Sequence, residues 1–272
     1  MGIRVAGAQK RCLGGTAMTM STFAVQAPEA RGVSVGICLL SIVVPTRNEA
    51  SNVRPLIERL TAALAHLEGE WEVIFVDDSD DTTPEVVAAV AGKREAAITL
   101  WHRPLGRRDG GLGGAVRDGF ALARGDVIVV MDGDLQHPPE VLPALVAPAV
   151  AGRADLVAGS RYGGSGGAGG LSGPWRRVIS RSAKWLAHRT VVRSRPLEDP
   201  LSGLFCVRRS VIDDVALQPI GYKILLEVAA RGNWRTACNV PYVFARRYSG
   251  NSKASLREGV VFLRHLVRLR VP

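Results

Sequence analysis

Residues 127–140 read VIVVMDGDLQHPPE, an apolar run that breaks at once into acid. Val127-Ile128-Val129-Val130-Met131 is rich in β-branched residues, the pattern of a short strand buried on both faces. Asp132, Asp134, Gln136 and His137 then sit at its C-terminal end, the edge where open parallel sheets bind ligands. A lone D-x-D is as readily a turn, because Asp-Gly is a common turn dipeptide. The flanking sequence has to separate the two.

On either side the same strand–loop–helix pattern recurs. GICLLSIVVPTRNEASNVRPLIERLTAALAHLE gives a strand ended by Pro45, then a helix that Ser51 or Asn48 can cap. Its apolar stripe is Val53, Leu56, Ile57, Leu60, Leu64 and Leu67. WEVIFVDDSDDTTPEVVAAVAG repeats the pattern, with the strand ending at Val76 and Thr83-Pro84-Glu85 opening the helix. AAITLWHR is a third strand, and GGLGGAVRDGFALARG a loop leading into a helix. Beyond the central stretch, PPEVLPALVAPAV is a Pro-interrupted helix and ADLVAGSRY a fifth strand. Such alternation predicts a mainly parallel α/β sheet flanked by helices. Two strand ends carry acid, Asp77-Asp78 and Asp132-x-Asp134. These clusters converge if their strands are sheet neighbours.

The chain has 272 residues, 47% of them hydrophobic, enough for one large domain or two small ones and for a sizeable core. A net charge of +10 favours an anionic partner: nucleic acid, a phosphorylated ligand or an acidic membrane face. Cys12, Cys38, Cys206 and Cys238 are scattered, with no zinc-binding spacing, which fits a reducing, cytosolic environment. The longest apolar run, Val33 to Val44, is about twelve residues, too short to span a bilayer. The expected organisation is a disordered tail over 1–36, a catalytic domain over 37–254 and a basic amphipathic helix over 255–272. That last segment, SLREGVVFLRHLVRLR, sets Leu256, Val260, Leu263, Val267 and Leu269 against Arg257, Arg264, Arg268 and Arg270. It reads either as a core-packing helix or as a membrane-surface helix. Residues 163–173, GGSGGAGGLSG, cannot pack a core. Basic residues from Arg176 to Arg195 follow, with no acid between Asp155 and Glu198. A linker is one reading of the Gly-rich stretch, and a lid over an anionic ligand is the other.

Several chemistries are excluded. GGLGGA is not G-x-G-x-x-G and follows the third strand, so it is no dinucleotide fingerprint. No P-loop and no G-x-S-x-G occur. What remains is an oxygen-ligated metal site. Asp132, Asp134 and Gln136 are hard ligands suited to Mg2+ or Mn2+, ions that keep waters and bind substrate diphosphates through one or two carboxylates. Asp77 and Asp78 are candidates for ribose hydroxyls or a base. A nucleotide across two strand ends, with its diphosphate on a metal, describes a nucleotide-sugar site.

Eight ordered blocks then carry a resemblance from about Leu39 to Arg270: VVPTRNE, FVDDSDD, GGLGGAVRDGF, MDGDLQHPPE, GSRY, EDPLSGLF, GYKILLE and RRYSGNSK. The sequence resembles the inverting family-2 glycosyltransferases, and within them the dolichol-phosphate (polyprenol-phosphate) mannose synthases. The resemblance implies an A-type glycosyltransferase fold. It implies nucleotide-sugar contacts at Pro45, Arg47, Glu49, Val76, Asp78, Gly133, Arg247 and Lys253. Asp132, Asp134 and Gln136 match the family's metal motif, and Arg161, Arg176 and Ser180 its lipid-phosphate site. Asp132, Asp134 and Asp199 are the candidate catalytic acids, Asp199 being equally a cap for the turn before Pro200. His137 reads as structural or as support behind the acids, and Trp175 and Trp185 as lipid contacts or core. Position 47 departs from the family pattern, with Arg where an aromatic is frequent, and SDDTT lacks the usual Gly.

The implied reaction moves a hexose, mannose from GDP-mannose first, onto a polyprenyl or dolichyl monophosphate with inversion. A UDP-glucose or UDP-N-acetylhexosamine donor is the enzymatic alternative. The implied partners are the nucleotide sugar, the polyprenyl phosphate, an anionic membrane surface and a separate membrane protein, with peripheral placement at the cytoplasmic face of the membrane. Nucleic-acid binding explains the charge but not acids at strand ends, and no recognisable reading motif is present.

Overall fold

Val127–Val130 does form a strand, and its position in the sheet explains its composition. The structure, a computed structural model, describes residues 39–92, 97–162, 174–245 and 256–270, with the backbone alone for 174–179, 256 and 257. Its strands are β1 (Leu39–Thr46), β2 (Glu70–Asp77), β3 (Ala97–His102), β4 (Val127–Val130), β5 (Leu156–Ser160), β6 (Phe205–Arg208) and β7 (Ala237–Pro241). They make one seven-stranded sheet in the order β3-β2-β1-β4-β6-β5-β7. The first four in that order run parallel, as do β5 and β7, while β6 is antiparallel to both β4 and β5. The expected mainly parallel sheet is therefore present, with β6 as its reversed member.

β4 has a layer on each face. Val127, Val129 and Met131 join one buried cluster with Leu56, Ile57, Leu142 and Leu145, whereas Ile128 and Val130 join another with Val116, Phe120 and Leu225. Burying a Val or Ile side chain completely contributes roughly 1.5–3 kcal/mol, so a strand apolar on both faces is held from both sides. The helices supplying these layers are α1 (Ala50–Leu64), α2 (Thr83–Ala91), α3 (Gly111–Leu122), α4 (Leu142–Val150), α5 (Pro174–Thr190), α6 (Ile224–Arg231) and α7 (Leu256–Arg268).

Local details depart from the sequence expectation in instructive ways. Helix α1 buries the expected Val53, Leu56, Ile57, Leu60 and Leu64, but its N-cap is Glu49 and no side chain caps it. Asn48, a proposed cap, instead joins the loops after β1 and β2: its N–H donates to Ser79 Oγ at 2.7 Å, and its Oδ1 accepts from the Asp80 N–H at 2.9 Å. The Gly-rich stretch at 111–114 is already helical. Gly119 lets α3 lie against the sheet, since a Cβ there would come within 2.4 Å of Val43 Cγ1.

Helix α7 packs against the core, but through other residues than most of the expected stripe. Phe262, His265 and Leu266 are buried, with Phe262 and Leu266 against Ala187, Val191, Leu201 and Leu226. Val260, Leu263 and Val267 on its other side are 67%, 52% and 65% exposed. No helix among the described residues is long and apolar enough to cross a membrane.

Candidate functional site

Strands β2 and β4 flank β1 rather than pairing with each other, so the acid clusters sit one strand apart with the end of β1 between them. Around these ends lies a cavity of about 390 Å³. Of the residues expected there, Pro45 near the end of β1, Arg47 and Glu49 after it, Asp78 after β2, and Asp132, Gly133 and Asp134 after β4 all line it. The far wall comes from Gly111 and Leu112 at the start of α3, from Gly221 and Tyr222 before α6, and from Glu258 in the first turn of α7.

Val76 is not among the residues that line the cavity. Its side chain is fully buried with Val43 and Ile74 beneath the sheet end, so it shapes the core and not the cavity wall. Asp77 is likewise structural. It accepts from Thr46 Oγ1 at 2.8 Å and from the Ser79 N–H at 3.2 Å, and its Oδ2 lies 2.8 Å from His102 Nδ1. Asp78 is held by a residue the sequence did not single out. Arg103 donates from Nε to Asp78 Oδ1 at 2.7 Å and from NH2 to Oδ2 at 2.6 Å. The guanidinium also donates to Asp118 at 3.2 Å and to the Gly111 carbonyl at 2.9 Å. Desolvation opposes its charge, but Asp78 and Asp118 outweigh this and raise the Arg103 pKa.

The D-x-D turn is strained and tightly packed. Leu135 is buried with φ of 63°, a conformation that non-glycine residues rarely adopt and that costs about 1–3 kcal/mol. That conformation brings the Gln136 N–H to Asp134 Oδ1 at 3.0 Å. Gly133 is required by the closeness of β1, because a Cβ would meet Thr46 Cγ2 at 2.9 Å. The Asp132 N–H donates to His137 Nδ1 at 3.1 Å. Burial pushes His137 down to about 4, with the Arg161 charge helping and Asp134 opposing, so the ring is neutral at neutral pH and its Nδ1 accepts. The supporting role read for His137 is the one its geometry shows.

Among the described residues, no three His, Cys, Asp or Glu side chains cluster as a ready cation cage. Asp132 and Asp134 open on the same cavity, and two carboxylates suffice for a hard ion that completes its shell with waters and substrate phosphates. The residues fit such an ion. Gln136 stands off the cavity wall: its side-chain amide donates to the Ala245 carbonyl at 3.3 Å, which leaves the amide oxygen as its ligand atom.

The residues expected at the acceptor lie beyond Asp132. Arg161 donates from Nε and NH2 to the two oxygens of Asp199 at 2.6 and 3.1 Å, a buried bidentate pair. Tyr162 Oη lies 2.5 Å from Ser180 Oγ, which places Ser180 on α5 beside the segment that carries Arg161. Arg176 lies on α5 with its side chain outside the described residues, as is the whole of Arg247, Lys253 and the Gly-rich segment 163–173. Asp199 belongs to a turn that ends against the metal motif, where a Cβ on Gly203 would meet Asp132 Oδ2 at 2.8 Å.

Residues 41–216 match the family model for glycosyl transferase family 2. The chain is 37% identical over 234 residues to dolichol-phosphate mannosyltransferase of Pyrococcus furiosus, covering 85% of this chain and 63% of that protein's length. It is 34% identical over 241 residues to the enzyme of the same name from Saccharomyces cerevisiae, covering 85% and 86%. A crystal structure of Mycobacterium tuberculosis glucosyl-3-phosphoglycerate synthase with Mn2+, UDP-glucose and phosphoglyceric acid shares the fold. Its TM-score is 0.59 at 21% identity, over 88% of this chain and 80% of that one. The chain belongs to glycosyl transferase family 2, in the branch that holds the dolichol-phosphate mannosyltransferases.

Proposed function

We propose that this glycosyltransferase moves one hexose, mannose from GDP-mannose first, to the phosphate of a polyprenyl or dolichyl monophosphate with inversion at the sugar. The observation that carries this is the position of Asp132. It lines the nucleotide-sized cavity on one side and, through Gly203, abuts the turn bearing the Arg161–Asp199 pair on the other. A donor and an anionic acceptor would thus meet at one carboxylate. The relatives' names support a mannosyl donor and a dolichyl phosphate acceptor.

A phosphate nucleophile makes a strong general base unnecessary. A phosphate monoester has a second pKa of about 6 and is already ionised at neutral pH. No proton has to be removed from the nucleophile, unlike transfer to a hydroxyl. The harder task is to bring two anions together. Pro45, Arg47, Glu49 and Asp78 line the space for the nucleoside, with Asp78 fixed by Arg103. Asp132 and Asp134 would hold Mg2+ or Mn2+, which when bound supplies the positive charge that stabilises a departing diphosphate. Arg247 and Lys253 are proposed for the donor phosphates, and Arg161, Arg176 and Ser180 for the acceptor. Incubating purified protein and a polyprenyl monophosphate with GDP-mannose, UDP-glucose and UDP-N-acetylglucosamine in turn tests the reading. Transfer from GDP-mannose alone supports it, transfer from a UDP-sugar alone selects the alternative donor, and transfer from none contradicts it.

The acceptor's chain is insoluble in water, so the reaction belongs at a membrane surface, proposed as the cytoplasmic face with peripheral attachment and a separate membrane protein as a further partner. Val260, Leu263 and Val267 are exposed on α7, with Arg264, Arg268 and Arg270 on the same helix or just past its end. A basic residue near an anionic leaflet contributes about 1 kcal/mol, screened by salt. Leu263→Glu should weaken sedimentation with anionic liposomes and leave nucleotide affinity unchanged; unchanged sedimentation would move the contact face elsewhere.

A further inference from the structure

Arg161 is not an unopposed cation. Two of its donors are engaged by Asp199, and the pair is neutral as a unit. A dianionic acceptor approaching it gains little from net charge. A further cation in this region is Lys223, just before α6.

One hydrogen bond and one ring contact hold Lys223, whose Nζ lies 4.4 Å from the Tyr222 ring centroid. Its Nζ donates to the Leu201 carbonyl at 2.8 Å, its sole hydrogen bond among the described residues, whereas an ammonium carries three donors. Leu201 belongs to the turn in which the Ser202 N–H donates to the Asp199 carbonyl at 3.1 Å. Gly203 closes that turn against Asp132, with room for no side chain. Burial lowers the Lys223 pKa to about 8; Arg161 acts in the same direction, and the acids Asp199, Asp132 and Glu258 oppose it. The hydrogen bond to Leu201 puts the ammonium on the turn that runs from Asp199 to Gly203 and abuts Asp132, and a bound anion there would stabilise its charge.

Resting on the reading that the acceptor is a phosphate monoester, we propose that Lys223 is a further substrate-contacting residue, whose ammonium meets the acceptor phosphate beside Asp132 and holds it toward the donor. The competing role is purely structural, with Lys223 pinning the turn through the Leu201 carbonyl. Lys223→Gln separates the two, because it keeps an N–H donor and loses the charge. Lys223→Arg keeps both.

The test compares wild type, Lys223→Gln and Lys223→Arg with a polyprenyl monophosphate in detergent micelles and whichever nucleotide sugar the wild type uses. Donor affinity is read by calorimetry and folding by thermal melting. A charge-assisted contact predicts that Lys223→Gln lowers kcat/KM for the lipid phosphate on the order of ten- to a hundred-fold. Donor affinity should stay within about three-fold and Lys223→Arg should recover most of the loss. Lys223→Gln with wild-type acceptor kinetics overturns the proposal and leaves the turn-pinning role. An equal loss of donor affinity also overturns it. Should Lys223→Gln fail to fold while Lys223→Arg folds but transfers no better than a hundredth of wild type, the proposal is likewise wrong. A wild-type protein that transfers to no lipid phosphate overturns the functional reading along with it, an outcome distinct from the failure of Lys223 alone.

Discussion

Arg161 and Asp199, 38 residues apart, form one bidentate ion pair, with Nε to Oδ2 at 2.6 Å and side chains 12% and 1% exposed. The sequence pointed to Arg161 as an acceptor ligand and to Asp199 as an acid of open role. Their pairing makes each the other's support. Removing one partner of a buried pair leaves an uncompensated charge, which costs about 3–5 kcal/mol. Arg161→Ala and Asp199→Ala should each lower stability by that order, and Arg161→Met combined with Asp199→Leu should recover much of it. Urea denaturation of the four proteins measures the two losses and the recovery. Single variants as stable as wild type would show that the pair is not a structural unit, and that any kinetic loss comes from substrate contacts alone.

Gly203 makes a sharper test of the metal motif. An alanine methyl would come within 2.8 Å of Asp132 Oδ2 and 3.0 Å of His137 Cε1, so Asp132 has to move. Functional groups displaced by an ångström lose on the order of a hundred-fold in rate. Gly203→Ala should therefore abolish most metal-dependent donor binding while its circular dichroism remains native. Donor affinity within two-fold of wild type would mean that Asp132 does not set the donor site.

Much of this architecture is legible from residues alone, and what is missing shares a cause. β1, β2, β4 and β5 announce themselves because each is a run of mostly buried apolar side chains. β6 is four residues long and reversed, and β7 is half-buried with Asn239 in its middle, so neither has a clear period to detect. The cavity residues are likewise readable where they end or follow strands, as at Pro45, Asp78, Asp132 and Asp134. Val76 and Asp77 at the end of β2 are buried off the cavity wall, which sequence alone does not distinguish from the exposure of Asp78 to it. Arg103 and Lys223 escaped notice because what defines them is contact across 25 and 22 residues, with Asp78 and Leu201.

The anchoring of α7 should depend on acid. Glu227 on α6 is buried beneath α7, its Oε2 2.7 Å from His265 Nε2 and its Oε1 accepting the Gln218 N–H at 2.8 Å. Arg231 Nε is 2.9 Å from the same Oε1. Desolvation pushes the Glu227 pKa up, but these hydrogen bonds and the charges of His265 and Arg231 outweigh it, and the folded-state value lies below the ordinary 4.5. As pH falls below that ordinary value, the unfolded chain takes up its proton first, so this contribution is present above about 4.5 and is lost as pH falls through the folded value. Stability should drop in that window, and Glu227→Gln should flatten the drop. Hydrogen exchange in α7 should rise over the same range. A Glu227→Gln protein with the wild-type pH profile would refute this assignment.

The central claim is that the nucleophile is a phosphate brought to a donor held at Asp132 and Asp134. Its most direct test offers the purified enzyme the same donor with either a polyprenyl monophosphate or the corresponding free polyprenol, in divalent metal, and weighs the products by mass spectrometry. The account predicts one hexose added to the monophosphate, none to the alcohol, and loss of the product in Asp134→Asn. Comparable transfer to the free alcohol, or an Asp134→Asn enzyme within a few-fold of wild type, would contradict it.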